Sequence, residues 1–321
     1  WFGKGSQGAT VKYQLPDAHS DFIFAVAGEE YGFLLCAAIL VLFAALVLRF
    51  YMRAAGLKSL FAQTAVSGFA ALIGLQSFIN MAVNLRGVTT VLLPGTGSDD
   101  DFVYRAFAPA LHEAGAIVVT PAPQPHRLID GYREELRNAA QSRRIAVGGV
   151  SIGAAVAVEW ALAHPSQVVA VLAALPAWTG APDAAPAAMA ARHSAELLRR
   201  DGLVATTTQM QASSPKWLAE ELTRSWLGQW PALPDAMDAA AGYVAPTSGE
   251  LEGLGAALGV VSAVDDPVHP LEVGAEWVSA APRAALRTVT LDAIGADPAV
   301  LGGECLAALW DADNPARPAV G

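Results

Sequence analysis

The chain has 321 residues, 54% of them hydrophobic, with a formal net charge of −10 and two cysteines, Cys36 and Cys305. That length suggests about two domains; an acidic chain without a basic stripe does not suit a nucleic-acid surface, and two cysteines without metal-like neighbours give neither a disulfide framework nor a metal or cofactor site. The composition is uneven: residues 1–85 carry five Lys/Arg against four Asp/Glu, and the remainder fifteen against twenty-six. Apolar residues come in long unbroken runs in the first part and in short segments in the second, so the two parts are built for different solvents.

The chain opens at Trp1 with no initiator Met and no basic n-region of a signal peptide. No residue is charged from Tyr31 to Leu48, or again from Leu60 to Leu85. Each run is long enough to cross a bilayer as a helix, which predicts two spans at about 31–50 and 60–85. Two buried core helices are the competing reading, but soluble helices of that length usually show a charged face. Arg49, Arg53 and Lys58 lie between the runs with no acid among them, which puts this short loop on the cytoplasmic side. Gln76, Asn80 and Asn84 recur at helical spacing and are expected to face another helix, not lipid.

Two stretches here carry a resemblance: Leu15-Pro-Asp-Ala-His-Ser-Asp-Phe-Ile-Phe-Ala-Val-Ala-Gly-Glu-Glu-Tyr-Gly32 and Ala71-Leu-Ile-Gly-Leu-Gln-Ser-Phe-Ile-Asn-Met-Ala-Val-Asn84. They resemble the late part of SEDS-family proteins, the polytopic glycosyltransferases that polymerise lipid-linked peptidoglycan precursors, and most of all the FtsW-like, cell-division branch. The resemblance covers about 85 residues. It implies that Asp21 is the motif's acidic residue. The family's other spans, and the helix with a Pro-Phe-Ile-Ser-Tyr-Gly-Gly signature expected after Asn84, have no counterpart here. The expectation is a truncated fragment in which Asp21 keeps its motif without a polymerase cavity.

At Arg86 the pattern changes. Val88–Leu93 reads as a strand followed by the loop Pro94-Gly-Thr-Gly-Ser98, Phe102–Ala114 as a helix, Ala116–Thr120 as a strand and Leu128–Gln141 as a helix. Ile145-Ala-Val-Gly-Gly-Val-Ser-Ile-Gly153 is a strand running into a tight, glycine-flanked turn, and Ala154–Ala163 continues it as a helix. Strands at Val168–Ala173, Leu258–Val264 and Leu286–Leu291, with helices at Leu271–Ala280 and Ala299–Leu309, complete an alternation that indicates a doubly wound, mostly parallel sheet. Residues 174–255 break the rhythm. They are rich in Ala and Pro, have helical stretches near Ala187–Arg200 and Lys216–Gln229, and hold Trp178, Trp217, Trp226 and Trp230. This insertion reads as a lid whose tryptophans either line an apolar acyl pocket or hold the lid together.

The serine at the turn has a chemical use. A strand–turn–helix elbow lifts the Ser151 hydroxyl above the sheet edge, and the new helix aims its free N–H groups at an oxyanion formed beside it. A Gly/Ser-rich turn that only packs is the alternative. The glycines at 95, 97, 149 and 153 are not followed by Lys-Ser/Thr and make no phosphate fingerprint. Residues 86–321 resemble the α/β-hydrolase superfamily through this elbow, the Pro94–Ser98 loop and Val264-Asp-Asp-Pro-Val-His-Pro270. The resemblance implies a Ser151 nucleophile and an oxyanion hole from the N–H groups of Ile152 and of Thr96 or a neighbour. It also implies an acid at Asp266, with Asp265 in reserve; a turn and helix cap is the competing use of that pair.

The family's histidine belongs in the loop after the last strand. Here that loop is Asp292-Ala-Ile-Gly-Ala-Asp297, with Ala296 where the imidazole is expected. Of the six histidines, His19 lies in the first part, His112 and His164 read as helix-surface or helix-end residues, and His193 falls in the lid. His126 and His269 remain as bases, His269 first because it shares its loop with Asp266. Its closeness in sequence leaves open whether Asp266 can orient the ring from behind, and an exposed loop position is the alternative for both histidines.

The sequence therefore predicts an α/β-hydrolase-type domain over 86–321 with a lid at about 174–255, preceded by two transmembrane-type helices over 1–85. It reads as two pieces joined near Leu85–Arg86 with no Gly/Ser/Pro linker, a junction that an artificial chimera fits better than a natural fusion. The expected partners are a small-molecule ester, thioester or amide and, through residues 31–85, a lipid bilayer. Membrane association would come from residues 1–85, whereas residues 86–321 alone would be soluble and cytoplasmic in origin. A catalytically silent hydrolase fold and a peptidoglycan glycosyltransferase fragment are the alternatives.

Overall fold

The computed structural model describes residues 87–313 except Ser142, and Arg49 before them. The chain divides into two units, Trp1–Gly87 and Val88–Gly321. The two expected spans and Asp21 lie outside the described residues. Among the described residues no helix is long and apolar enough to cross a membrane.

The second unit is an alternation of strands and helices: β1 (Thr89–Leu93), α1 (Asp100–Glu113), β2 (Ile117–Val119), α2 (Leu128–Ala140), β3 (Ile145–Val150), α3 (Ile152–Ala163) and β4 (Val168–Ala174). The insertion follows as α4 (Pro186–Ser213), α5 (Lys216–Gln229), α6 (Leu233–Ala241) and α7 (Ser248–Leu251). The alternation then resumes with β5 (Ala257–Ala263), α8 (Leu271–Ala280), β6 (Ala284–Val289), α9 (Leu291–Ala296) and α10 (Ala299–Asp313). The six strands lie in the order β2-β1-β3-β4-β5-β6, and every pairing is parallel.

A parallel sheet buries both faces, so its strands are apolar throughout. Val91, Leu93, Val147, Val171 and Val260 point to the side packed by Tyr132 and Leu136 of α2, by α3 and by Trp277 of α8. Leu92, Leu172 and Val261 point the other way, onto Val103 and Phe107 of α1 and Leu301 and Cys305 of α10. Helix α3 is buried on almost every side, which its run of small residues allows. Its one charge, Glu159, accepts hydrogen bonds from Arg133 at 2.8 Å and from the Tyr243 hydroxyl at 2.6 Å.

Several elements differ from the sequence reading. The expected loop at 292–297 is mostly helix, because Thr290 caps α9 by accepting from the Ala293 N–H at 3.1 Å. The insertion holds four helices instead of two, and α4 breaks at Gly202, whose φ of +79° is not helical. Strand order reverses between β1 and β3, and in a doubly wound sheet the crevice at the carboxyl ends of such strands is where ligands bind.

Candidate active site

Ser151 stands at that crevice. β3 stops at Val150, Ser151 adopts φ 55° and ψ −116°, and α3 starts at Ile152. A non-glycine residue with that backbone costs about 1–3 kcal/mol and persists only where its surroundings over-determine it. The surroundings here are tight. The Ser151 N–H donates to Ala174 O at 2.9 Å, and Ser151 O accepts from the Ala155 N–H at 3.1 Å. On either side of the serine the backbone presses on the end of β1: a Cβ on Gly149 would lie 2.3 Å from Leu93 O, and one on Gly153 2.1 Å from the same oxygen. Glycine at both positions is what allows the elbow to close.

The loop between β5 and α8 completes the arrangement. Asp266 Oδ1 accepts from the N–H groups of Val268 at 2.8 Å and His269 at 3.2 Å. This local turn folds the loop back, so that a carboxylate and an imidazole three residues apart face each other. His269 Nδ1 lies 2.7 Å from Asp266 Oδ2, and His269 Nε2 lies 3.0 Å from Ser151 Oγ. An ionised carboxylate only accepts, so Nδ1 carries the hydrogen and Nε2 is left to accept from the serine hydroxyl. Ser151 is 7% exposed, and the side chains of His269 and Asp266 are 18% and 7% exposed. Burial pushes the Asp266 carboxyl up, but hydrogen bonding and charge from His269, with the Val268 and His269 N–H groups, outweigh it and hold the group below the usual carboxylate range.

The other candidates fall elsewhere. Asp265 turns away and accepts from the Leu291 N–H at 2.8 Å. His126 sits 75% exposed beside Asp235, 3.3 Å away. His164 stacks on Trp160, and His193 is exposed on α4. Ala296 is exposed at the end of α9. The three-residue separation of Asp266 and His269 does not keep the acid from the far ring nitrogen; the turn at Val268 supplies the reversal. Ile152 is the first residue of α3, so its N–H has no intrahelical acceptor. Thr96 and Gly97 are the central residues of a turn closed by Ser98 N–H to Gly95 O at 3.1 Å. Of the lid tryptophans, Trp178 donates to Tyr243 O at 3.2 Å, Trp226 is buried against Gly97, Trp217 packs on Gly295 and Trp230 is partly exposed. Among the described residues no cluster of His, Cys, Asp or Glu could hold a metal ion.

The fold of the second unit is similar to that of solved structures. A carboxylesterase from the thaumarchaeon Nitrososphaera gargenis superposes with a TM-score of 0.52 at 18% identity, covering 64% of this chain and 82% of that one. The enol-lactonase of Burkholderia xenovorans LB400 does so at 0.50 and 18%, covering 64% and 84%. The second unit has the α/β-hydrolase fold. Within that fold, Ser151 sits at the sharp turn between β3 and α3.

Residues 1–100 match the FtsW/RodA/SpoVE cell cycle protein family model. The protein named probable peptidoglycan glycosyltransferase FtsW from Caulobacter vibrioides is 42% identical over 89 residues, which are 28% of this chain and 23% of that protein. The chain thus spans about a quarter of the length of the curated relatives it matches. The family match runs past Gly87 into β1 and the turn after it, residues that pair within the α/β-hydrolase sheet.

Proposed function

We propose that residues 86–321 act as a serine hydrolase on a small ester, thioester or amide. Ser151 is the nucleophile, His269 the general base, Asp266 the acid that orients it, and the N–H groups of Ile152 and Thr96 the oxyanion hole. The observation that carries this reading is the His269 ring, bound to Ser151 Oγ at 3.0 Å on one side and to Asp266 at 2.7 Å on the other. The three follow one another in the order Ser, acid, His that the fold uses, with the last two compressed into one loop. The resemblance of the fold to a carboxylesterase and an enol-lactonase supports it.

The chemistry runs as follows. His269 Nε2 takes the hydroxyl proton as Ser151 Oγ attacks the carbonyl carbon. The carbonyl oxygen becomes an oxyanion facing the Ile152 and Thr96 amides. The tetrahedral centre collapses to an acyl-serine, and the imidazolium returns its proton to the departing alcohol, thiol or amine. Water, deprotonated by the same nitrogen, then releases the acid. Asp266 holds the tautomer that starts each half and offsets the charge on the ring.

Residues 1–85 are proposed as an FtsW-like membrane segment with spans at about 31–50 and 60–85, and residues 174–255 as the lid of the hydrolase. Membrane association comes from the spans. The family match over residues 1–100 supports this part.

Turnover of short p-nitrophenyl esters and thioesters by the full chain is the test. Ser151→Ala and His269→Ala should each lose on the order of 10⁴-fold or more in kcat. Activity that survives Ser151→Ala would refute the assignment.

A further inference from the structure

The reading of Ser151 as nucleophile leaves one part of the machinery unexplained: what holds the loop that presents Thr96. We propose that Gln229, at the end of lid helix α5, is the positioning residue of the oxyanion loop, and that the lid thereby sets the geometry of the hole. The proposal rests on the hydrolase reading.

The loop lies directly on the elbow. A Cβ on Gly95 would be 3.3 Å from Val150 O and 3.6 Å from Ser151 Cβ. The carbonyls at its two ends each accept from a buried side chain. Pro94 O accepts from the Tyr132 hydroxyl of α2 at 3.1 Å, and burial pushes that phenol far above its usual range, so it stays a neutral donor. Ser98 O accepts from Gln229 Nε2 at 2.9 Å. The same nitrogen donates to Ser225 Oγ at 2.8 Å, one turn back along α5. Both amide hydrogens are committed, so the orientation of the Gln229 amide is fixed. Gln229 is 8% exposed and Ser225 3%, and a buried polar side chain bonded in this way is held rigidly.

Between the two grips sits the turn. Ser98 N–H closes it onto Gly95 O, and Gly97 has a φ of +70°, the left-handed value that a type II turn asks of its third residue. The closing bond uses neither central amide, so the N–H groups of Thr96 and Gly97 stay available. Helix α5 meets the loop twice more: the Trp226 indole lies where a Gly97 Cβ would go, and Arg224 pairs with Asp99 at 3.1 Å. One grip therefore belongs to the sheet-packing helix α2 and the other to the lid.

An oxyanion exists only on the way through the transition state. Misplacing its donors therefore lowers kcat and leaves KM alone. Displacements near 1 Å cost on the order of 10²-fold. Gln229→Met keeps the size of the side chain and removes its donor. Steady-state turnover of paired oxygen and thiono esters by the full chain reads the effect, because sulfur at the developing anion gains little from N–H donors. The expected result is a drop in kcat of about 10–100-fold on the oxygen ester, KM within about twofold, and a fall in the oxygen-to-thiono ratio. An unchanged kcat and ratio in a folded variant overturns the proposal. Should Gln229→Met melt below assay temperature, Ser225→Ala decides in its place: a smaller loss with the same fall in ratio supports the proposal, and no fall overturns it. Ser151→Ala, run alongside, separates the two readings. If it is inactive the hydrolase reading stands whatever Gln229 does, and if it is active that reading fails and takes this proposal with it.

Discussion

Replacing Asp266 by Asn isolates what the carboxylate does. Its Oδ1 accepts from two backbone N–H groups and its Oδ2 faces His269 Nδ1. In Asn the carbonyl oxygen must stay on the Oδ1 side, since an NH₂ there would oppose two donors. The NH₂ then faces Nδ1, which must become an acceptor, and the ring hydrogen moves to Nε2. That nitrogen, 3.0 Å from Ser151 Oγ, can no longer take the hydroxyl proton. The expected loss in kcat is on the order of 10⁴-fold, about 5 kcal/mol of transition-state stabilisation at 1.36 kcal/mol per decade. The fold should lose only about 1 kcal/mol, because both backbone bonds survive. Ester kinetics and a thermal melt measure the two effects separately. A variant that keeps more than about a tenth of wild-type kcat, or loses activity only by unfolding, would refute the orienting role.

Four further outcomes follow from the same geometry. Gly153→Ala places a methyl against Leu93 O and should destabilise the domain by about 3 kcal/mol or more in urea unfolding. His126→Ala removes only an exposed pairing with Asp235 and should leave ester turnover unchanged; a large loss would move the base away from His269. Ala296→His should give no gain in turnover, since His269 already holds the ring position on Ser151. The Asp266 carboxyl titrates lower in the folded chain than in the unfolded one, where its value is about 3.9. As pH falls the unfolded chain binds that proton first. The stabilisation is therefore complete above about pH 5 and disappears as pH drops through the folded value. Unfolding free energy measured from pH 6 to pH 3 should fall in wild type more steeply than in Asp266→Asn.

Much of this was legible in residue order because the signals were local. The elbow needs a serine between glycines at a strand-to-helix passage, and the chain supplies Gly149, Ser151 and Gly153 in one stretch. Asp266 and His269 share a loop after a strand, which is enough to put both on one rim. The direction of each side chain was less legible: the resemblance put Asp266 before Asp265, but the contact that turns Asp265 away lies with Leu291, 26 residues on. Some misses did carry a signal. Thr290 before α9 is a helix cap, and Thr247-Ser-Gly-Glu250 is a capping box that marks α7. Tyr132 and Gln229 carried none, since each reaches the loop after β1 across a long stretch of chain and belongs to no motif.

The proposed hydrolase stands or falls with the activation of Ser151 by His269. A fluorophosphonate reacts at phosphorus far faster with an activated serine than with an ordinary one, so the most direct measurement is labelling of the folded full chain, read by intact mass and peptide mapping. One adduct per chain is expected, on Ser151, absent in Ser151→Ala and slowed by on the order of 10³-fold or more in His269→Ala. A folded chain that takes up no phosphonate, or that is labelled equally fast without His269, would contradict it.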